Sequence, residues 1–188
     1  MRKALLGLLP VMLMMLAFPA IAEPYTFSNG VQWGMSKAEI AEIEKAEPDD
    51  DGPIREHVQA VIYGNQTVSK YTANRVYVLA DDELFSVWYA CFSSNEDKDL
   101  KYLQGALTSL YGEAAALLPG NVVKFIADVW DGDLAGEVTF SSQWTGGDDT
   151  NIWLSSKTLD SDENGIFLIY IDANFDGSQI GIYDTTGL

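Results

Sequence analysis

The sequence predicts an α+β domain in which an antiparallel β-sheet of about five to six strands, in two meanders, carries two main helices. Three observations predict it. Apolar residues recur at helical spacing in two segments, near residues 37–47 and about 96–111. Between and after them run alternating or wholly apolar stretches rich in Val, Ile and Tyr, bounded by Gly, Asn and Asp. The order is helix, strands, helix, strands, and short polar turns rather than crossover helices join the strands, which favours antiparallel pairing over a doubly wound sheet.

The first helix is predicted from about Lys37 to Glu47. Ser36 and Glu39 have capping-box spacing, and Met35 and Ile40 stand at the hydrophobic-staple positions. Ile40 and Ile43 face inward, with Glu39, Glu42, Glu44 and Glu47 mostly outward. Pro48 and the run Asp49-Asp50-Asp51-Gly52-Pro53 end the helix.

From His57 to about Phe92 the period becomes that of strands. Val58, Ala60 and Ile62 alternate, Gly64-Asn65 is a turn signal, and Tyr71 to Leu79 is rich in tyrosine and valine. Asp81-Asp82-Glu83 makes a tight polar turn into Leu84–Phe92, which is apolar on both faces and so predicts a central strand. Two or three antiparallel strands are expected here.

Ser94 or Asn95 caps the second helix, and Glu96, Asp97 and Asp99 sit in its first turn, where the helix dipole favours negative charge. Leu100, Leu103, Leu107, Leu110 and Tyr111 form its stripe and Gly112 its stop. Strands follow at about Val122–Val129, Asn151–Ser156 and Gly165–Ala173, with a further one at Gly136–Ser141.

The chain begins with Met1-Arg2-Lys3, continues almost wholly apolar over residues 4–18, and reaches Ala20-Ile21-Ala22. A basic start, an apolar run broken by Pro10 and Pro19, and small residues at the cleavage positions predict a secretory signal peptide over residues 1–22, not a membrane anchor. A single domain over 23–188 follows, secreted or periplasmic, with no membrane anchor after cleavage. The full chain of 188 residues has a net charge of -17, and losing Arg2 and Lys3 makes it two charges more negative. Nucleic acid and anionic membranes are poor partners for such a surface. The one cysteine, Cys91, leaves no internal disulfide.

The stretch Trp33-Gly34-Met35-Ser36-Lys37-Ala38-Glu39-Ile40 resembles the Gly-Met-Ser/Thr-x-x-Glu/Gln-Val helix entry of small exported bacterial proteins. These include SmpA/OmlA-type lipoproteins, the β-lactamase-inhibitor-protein fold and other secreted proteins of gut bacteria. Leu84–Phe92 is similar to their central strand, and Leu107-x-x-Leu110-Tyr111-Gly112 to the end of a packing helix. The resemblance implies helices laid on an antiparallel sheet and a role in binding another protein. The chain departs from the lipoproteins in having no cysteine after its apolar start.

Nucleophilic catalysis would need Cys91 near His57, the only such pair. Cys91 lies in an apolar strand with no electropositive neighbour in sequence, so the expectation is a small buried hydrophobe. One His and one Cys do not make a zinc set. Calcium is the one cofactor with a pattern: Asp172-x-Asn174-x-Asp176-Gly177 and Asp160-x-Asp162-x-Asn164-Gly165 have the oxygen-ligand spacing of calcium loops. Both lack the glutamate at the twelfth position, where Tyr183 and Ile171 stand, and Asn164-Gly165 is also a common hairpin turn.

Of the five tryptophans, Trp130 beside Asp131 and Asp133, and Trp144 before Gly146-Gly147, are the candidates to stack on a sugar. The acidic clusters Asp49-Asp50-Asp51, Asp81-Asp82-Glu83 and Asp148-Asp149 are expected as solvated turns or as a docking surface for a basic partner. The reading that follows is an exported, non-enzymatic binding module for a protein or glycan partner. The alternative is a carbohydrate-active or other hydrolytic enzyme using carboxylates, or a glycan-binding module.

Overall fold

A computed structural model describes residues 26–93, 95–115, 139–147, 149–158 and 164–177. The signal segment 1–22, the expected strand Val122–Val129, and Ser94, Trp130, Asp160 and Asp162 lie outside the described residues.

The elements are α1 (Lys37–Glu44), β1 (Asp50–Arg55), β2 (Val58–Val68), β3 (Tyr71–Ala80), β4 (Glu83–Ser93), α2 (Glu96–Tyr111), β5 (Thr139–Thr145), β6 (Thr150–Thr158) and β7 (Asn164–Asp172). All seven strands form one antiparallel sheet in the order β1-β2-β3-β4-β7-β6-β5. Two meanders, β1 to β4 and β5 to β7, meet where β4 pairs with β7. The α+β antiparallel class is as expected; the strand count among the described residues is seven, not five to six.

The extra strand comes from Asp50–Arg55, expected as a helix-ending loop. Pro53 has no amide to donate, which an edge strand tolerates because one side of its ladder is unpaired, and acid plus proline suits an edge that must not pair with copies of itself. Gly64-Asn65 does not reverse the chain. It forms an irregularity inside β2, where the register shifts between Tyr63 and Gln66 and Asn65 takes a left-handed φ of 56°. The reversal comes after Val68, with Ser69 at φ 57°. The Asp81-Asp82 hairpin is as expected: both residues have positive φ, 47° and 68°, the signature of a two-residue turn matched to strand twist.

The capping box of α1 is present, with the Ser36 side chain accepting from the Glu39 amide and Glu39 reaching back to the Ser36 amide. The helix stops at Glu44 rather than Glu47 because Lys45 turns left-handed at φ 54°. Asn95 caps α2 and Gly112 ends it with φ 87°. Leu103 and Leu107 are buried as the stripe requires, but Leu110 is 74% exposed and does not belong to it.

Alternation places two apolar layers on the sheet. On the helix side lie Val61, Tyr77, Val87, Cys91, Ile152, Leu154 and Leu168, under Ile40 of α1 and Leu103 and Leu107 of α2. The opposite side carries Val76, Val78, Trp88, Trp153, Phe167 and Ile169, all buried, with Phe175 stacked on Phe85 at 4.1 Å. β4 is central, which is why its sequence is apolar on both faces. Among the described residues no helix is long and apolar enough to cross a membrane.

Candidate functional site

The Cys91–His57 pair is not assembled. On β3, Ala73 stands opposite Cys91 and Ala80 opposite Val58, so the two sites lie seven residues apart along the strand, roughly 23 Å at about 3.3 Å per residue. Cys91 is buried, and its thiol is pushed up to about 11, first by burial and then by the charge of Asp99. His57 is exposed, with Nδ1 2.7 Å from Asp81 Oδ1.

A buried polar group lies between α1 and the sheet. Glu44, expected to point outward, points inward: it follows Ile40 by four residues and shares its face. Its Oε1 accepts from Asn29 Nδ2 at 2.7 Å, from Arg75 Nη1 at 2.5 Å, and from the Tyr77 hydroxyl. Arg75 and Tyr77 are two apart on β3 and so share the helix side. Burial works against the Arg75 charge, but Tyr89, Tyr77 and Glu44 more than offset it and hold the guanidinium protonated. Burial, then the bond to Glu44, pushes the Tyr77 hydroxyl up. Arg75 Nε and Tyr63 Oη are buried without a hydrogen-bond partner. The sequence signal for Glu44 was its spacing from Ile40, which net polarity outweighed.

A second group forms at one end of the sheet. Ala80 stands opposite Glu83, Ser86 opposite Ile171, and Asp172 opposite Thr150, so the ends of β3 and β7 and the starts of β4 and β6 lie together. This collects Asp81, Asp82 and Glu83 from the β3–β4 hairpin with Asp149 just before β6 and Asp172 at the end of β7. The Trp33–Lys37 segment is tied to the same end by Gly34 donating to the Leu84 carbonyl at 2.9 Å and Leu84 donating to that of Met35 at 3.0 Å. Lys37 joins Asp51 of β1 to it: its side chain pairs with Asp51, and its amide donates to Asp82 Oδ1 at 3.1 Å.

Trp33 Nε1 donates to Thr150 Oγ1 at 3.0 Å, and that hydroxyl donates to Asp149 Oδ1 at 3.0 Å. Ala173 donates its amide to the Asp149 carbonyl at 2.7 Å. Asp172 accepts from the Asn174 amide at 2.8 Å, and burial, then the charge of Asp149, raises its carboxyl above the ordinary range.

Trp144, a candidate sugar-stacking residue, is 2% exposed in the helix-side core, so its ring offers no face to a ligand. Trp33, half-buried at the acidic end, is one of the three tryptophans that sequence reasoning passed over. Asp172, Asn174 and Asp176 follow one another at that end, the last two exposed. Asn164 opens β7 opposite Ser93 and Thr158, in a regular ladder. Among the described residues no three His, Cys, Asp or Glu side chains converge as metal ligands do. Comparison of the chain with protein-family models, curated proteins and solved structures returns no match.

Proposed function

We propose that the protein is exported and acts as a non-enzymatic binding module that meets a basic partner through the acidic end of its sheet. The observation that carries this reading is the convergence there of carboxylates distant in sequence, Asp81, Asp82, Glu83, Asp149 and Asp172, outnumbering the basic groups beside them, Arg55, His57 and Lys37, the last of which pairs with Asp51 of β1. A surface of one sign accelerates encounter with the opposite sign and rejects like charge. Cys91, in the core, and Glu44, paired with Arg75, are engaged internally.

The test is binding to a basic protein, lysozyme, followed against salt. The association rate should fall steeply between about 50 and 300 mM salt, where the screening length shortens past 10 Å. Reversing Asp81, Asp82 and Glu83 to lysine should slow it further. Salt-independent binding, or unchanged binding by the reversal variant, rules the acidic end out. Export is tested at the N-terminus of the protein recovered outside the cytoplasm of a bacterial host, which should begin at Glu23.

The second reading, hydrolysis by carboxylates, has one observation in its favour, the raised carboxyl of Asp172 beside Asp149. An Asp172→Ala variant that abolishes a measured glycosidase activity would establish it. The calcium reading uses the same place, with Asp172, Asn174 and Asp176 as ligands. It calls for a calcium-dependent rise in Tm that chelator reverses.

A further inference from the structure

The chain's single histidine stands at the acidic end. Glu56 and His57 are the two residues that join β1 to β2, and His57 takes a left-handed φ of 63°, a conformation that histidine tolerates better than most side chains. Arg55 stands opposite Val58, and Val58 opposite Ala80, so this turn lies beside the Asp81-Asp82 turn between β3 and β4. The two turns are tied through their backbones, Asp81 donating its amide to the His57 carbonyl at 2.9 Å.

Each nitrogen of the imidazole faces a different carboxylate. Nδ1 lies 2.7 Å from Asp81 Oδ1, and Nε2 lies 3.6 Å from Glu56 Oε1. A neutral imidazole carries one N–H, so it turns a lone pair toward one of the two acids; the imidazolium carries a proton on both nitrogens and suits both. The other charged groups about this turn are Asp82 and Glu83 on the facing hairpin, Arg55 at the end of β1, and Lys37 of α1, whose side chain pairs with Asp51. Asp82 Oδ1 accepts from the Lys37 amide at 3.1 Å and from Gln59 Nε2 of β2 at 3.4 Å. Histidine is the side-chain type whose charge ordinarily changes between about pH 5 and 8.

We infer that His57 makes the acidic end pH-sensitive: uncharged, it leaves the end open to a basic partner, and protonated, it pairs with Asp81 and Glu56 and slows that partner's approach. The inference rests on the docking reading given above and names its regulation. His57 and both acids are exposed, so their pairing contributes little to stability. What protonation changes is the charge that an approaching partner meets.

Lysozyme is again the probe. Its association rate is measured at about pH 8 and about pH 5.5, in about 50 mM salt, with the wild type, with His57→Asn, which stays uncharged and tolerates a left-handed φ, and with His57→Lys, which stays charged. From the higher pH to the lower, the wild-type rate should fall roughly twofold more than that of His57→Asn. Changes in lysozyme itself, and in Asp172 with its raised carboxyl, are common to all three proteins and cancel in this comparison. His57→Lys should be slow at both values, and in about 300 mM salt the three should converge. A wild-type pH ratio equal to that of His57→Asn, a fast-binding His57→Lys, or a difference that persists at high salt overturns the inference and leaves the docking reading standing. Absence of salt-dependent binding by the wild type at about pH 8 overturns the docking reading, and the inference with it.

Discussion

Glu44 Oε1 lies 2.5 Å from Arg75 Nη1, joining the last residue of α1 to the middle of β3, and both side chains are about nine-tenths buried. Removing one member of such a pair leaves a charge in a poorly solvated place. Removing both for apolar groups of similar size does not. Glu44→Gln is therefore expected to cost about 3 kcal/mol, while Glu44→Leu with Arg75→Met recovers most of it. Urea denaturation of the two variants checks this. A loss for Glu44→Gln within about 0.5 kcal/mol of wild type would show the pair to be solvated.

Asp99, in the first turn of α2, accepts from Ser93 Oγ at 2.7 Å and Tyr71 Oη at 2.5 Å, with Lys70 at 3.4 Å. The Ser93 bond, then the Tyr71 bond, holds its carboxyl below the ordinary range. A lowered carboxyl contributes stability that is present above its unfolded value and lost as pH falls through its folded value. Asp99→Asn should thus be less stable than wild type at pH 7, with the gap closing in acid. A gap that stays constant from pH 7 down to about pH 2.5 would contradict the linkage.

Asp172 works in the opposite sense. Its carboxyl is raised, so the charged form is disfavoured in the folded chain, and stability is lost as pH rises through that raised value. Asp172→Asn keeps an oxygen for the Asn174 amide and removes the charge facing Asp149. It should raise Tm at pH 7 by about 1–2 °C, for roughly 0.5 kcal/mol, and change nothing well below the ordinary carboxylate range. A lower Tm at pH 7 would mean that the charge serves a purpose other than stability.

Trp88 and Trp144 are both buried, but only Trp88 has a partner for its indole N–H, Ser86 Oγ at 2.8 Å. Replacing each by Phe removes similar volume. Trp88→Phe should therefore cost about 1 kcal/mol more than Trp144→Phe, the net worth of the hydrogen bond. Equal losses in chemical denaturation would show that Trp144 Nε1 finds a partner in solution.

Cys91, 2% exposed with its thiol pushed up to about 11, should resist labelling by Ellman's reagent at pH 8 for as long as the sheet stays closed, and react at once in denaturant. Fast labelling of the native protein is the outcome that would contradict its placement in the core.

What the sequence determined by itself was local. Ser36 and Glu39 specify the start of α1, Asn95 and Gly112 the limits of α2, and Asp81-Asp82 a hairpin turn, because caps and turns are made within four or five residues of chain. The doubly apolar Leu84–Phe92 run marked the central strand, since only a strand covered on both sides loses its alternation. The tertiary structure decided the rest. A Gly-Asn pair can serve equally as a hairpin turn or as an irregularity within a strand, and the pairing of the flanking Tyr63 with Arg75 and Gln66 with Ala73 of β3 made Gly64-Asn65 the latter. Asp50–Arg55 has little strand propensity and became β1 only because β2 offered an open edge. Glu44 turned inward because Arg75, thirty-one residues on, was there to receive it, and Trp144 went into the core with its indole N–H unpaired. Asp81, Asp82 and Glu83 met Asp149 and Asp172 at one end because β7 returned beside β4, and long-range register is set by which faces can be buried together, not by any residue's neighbours in sequence.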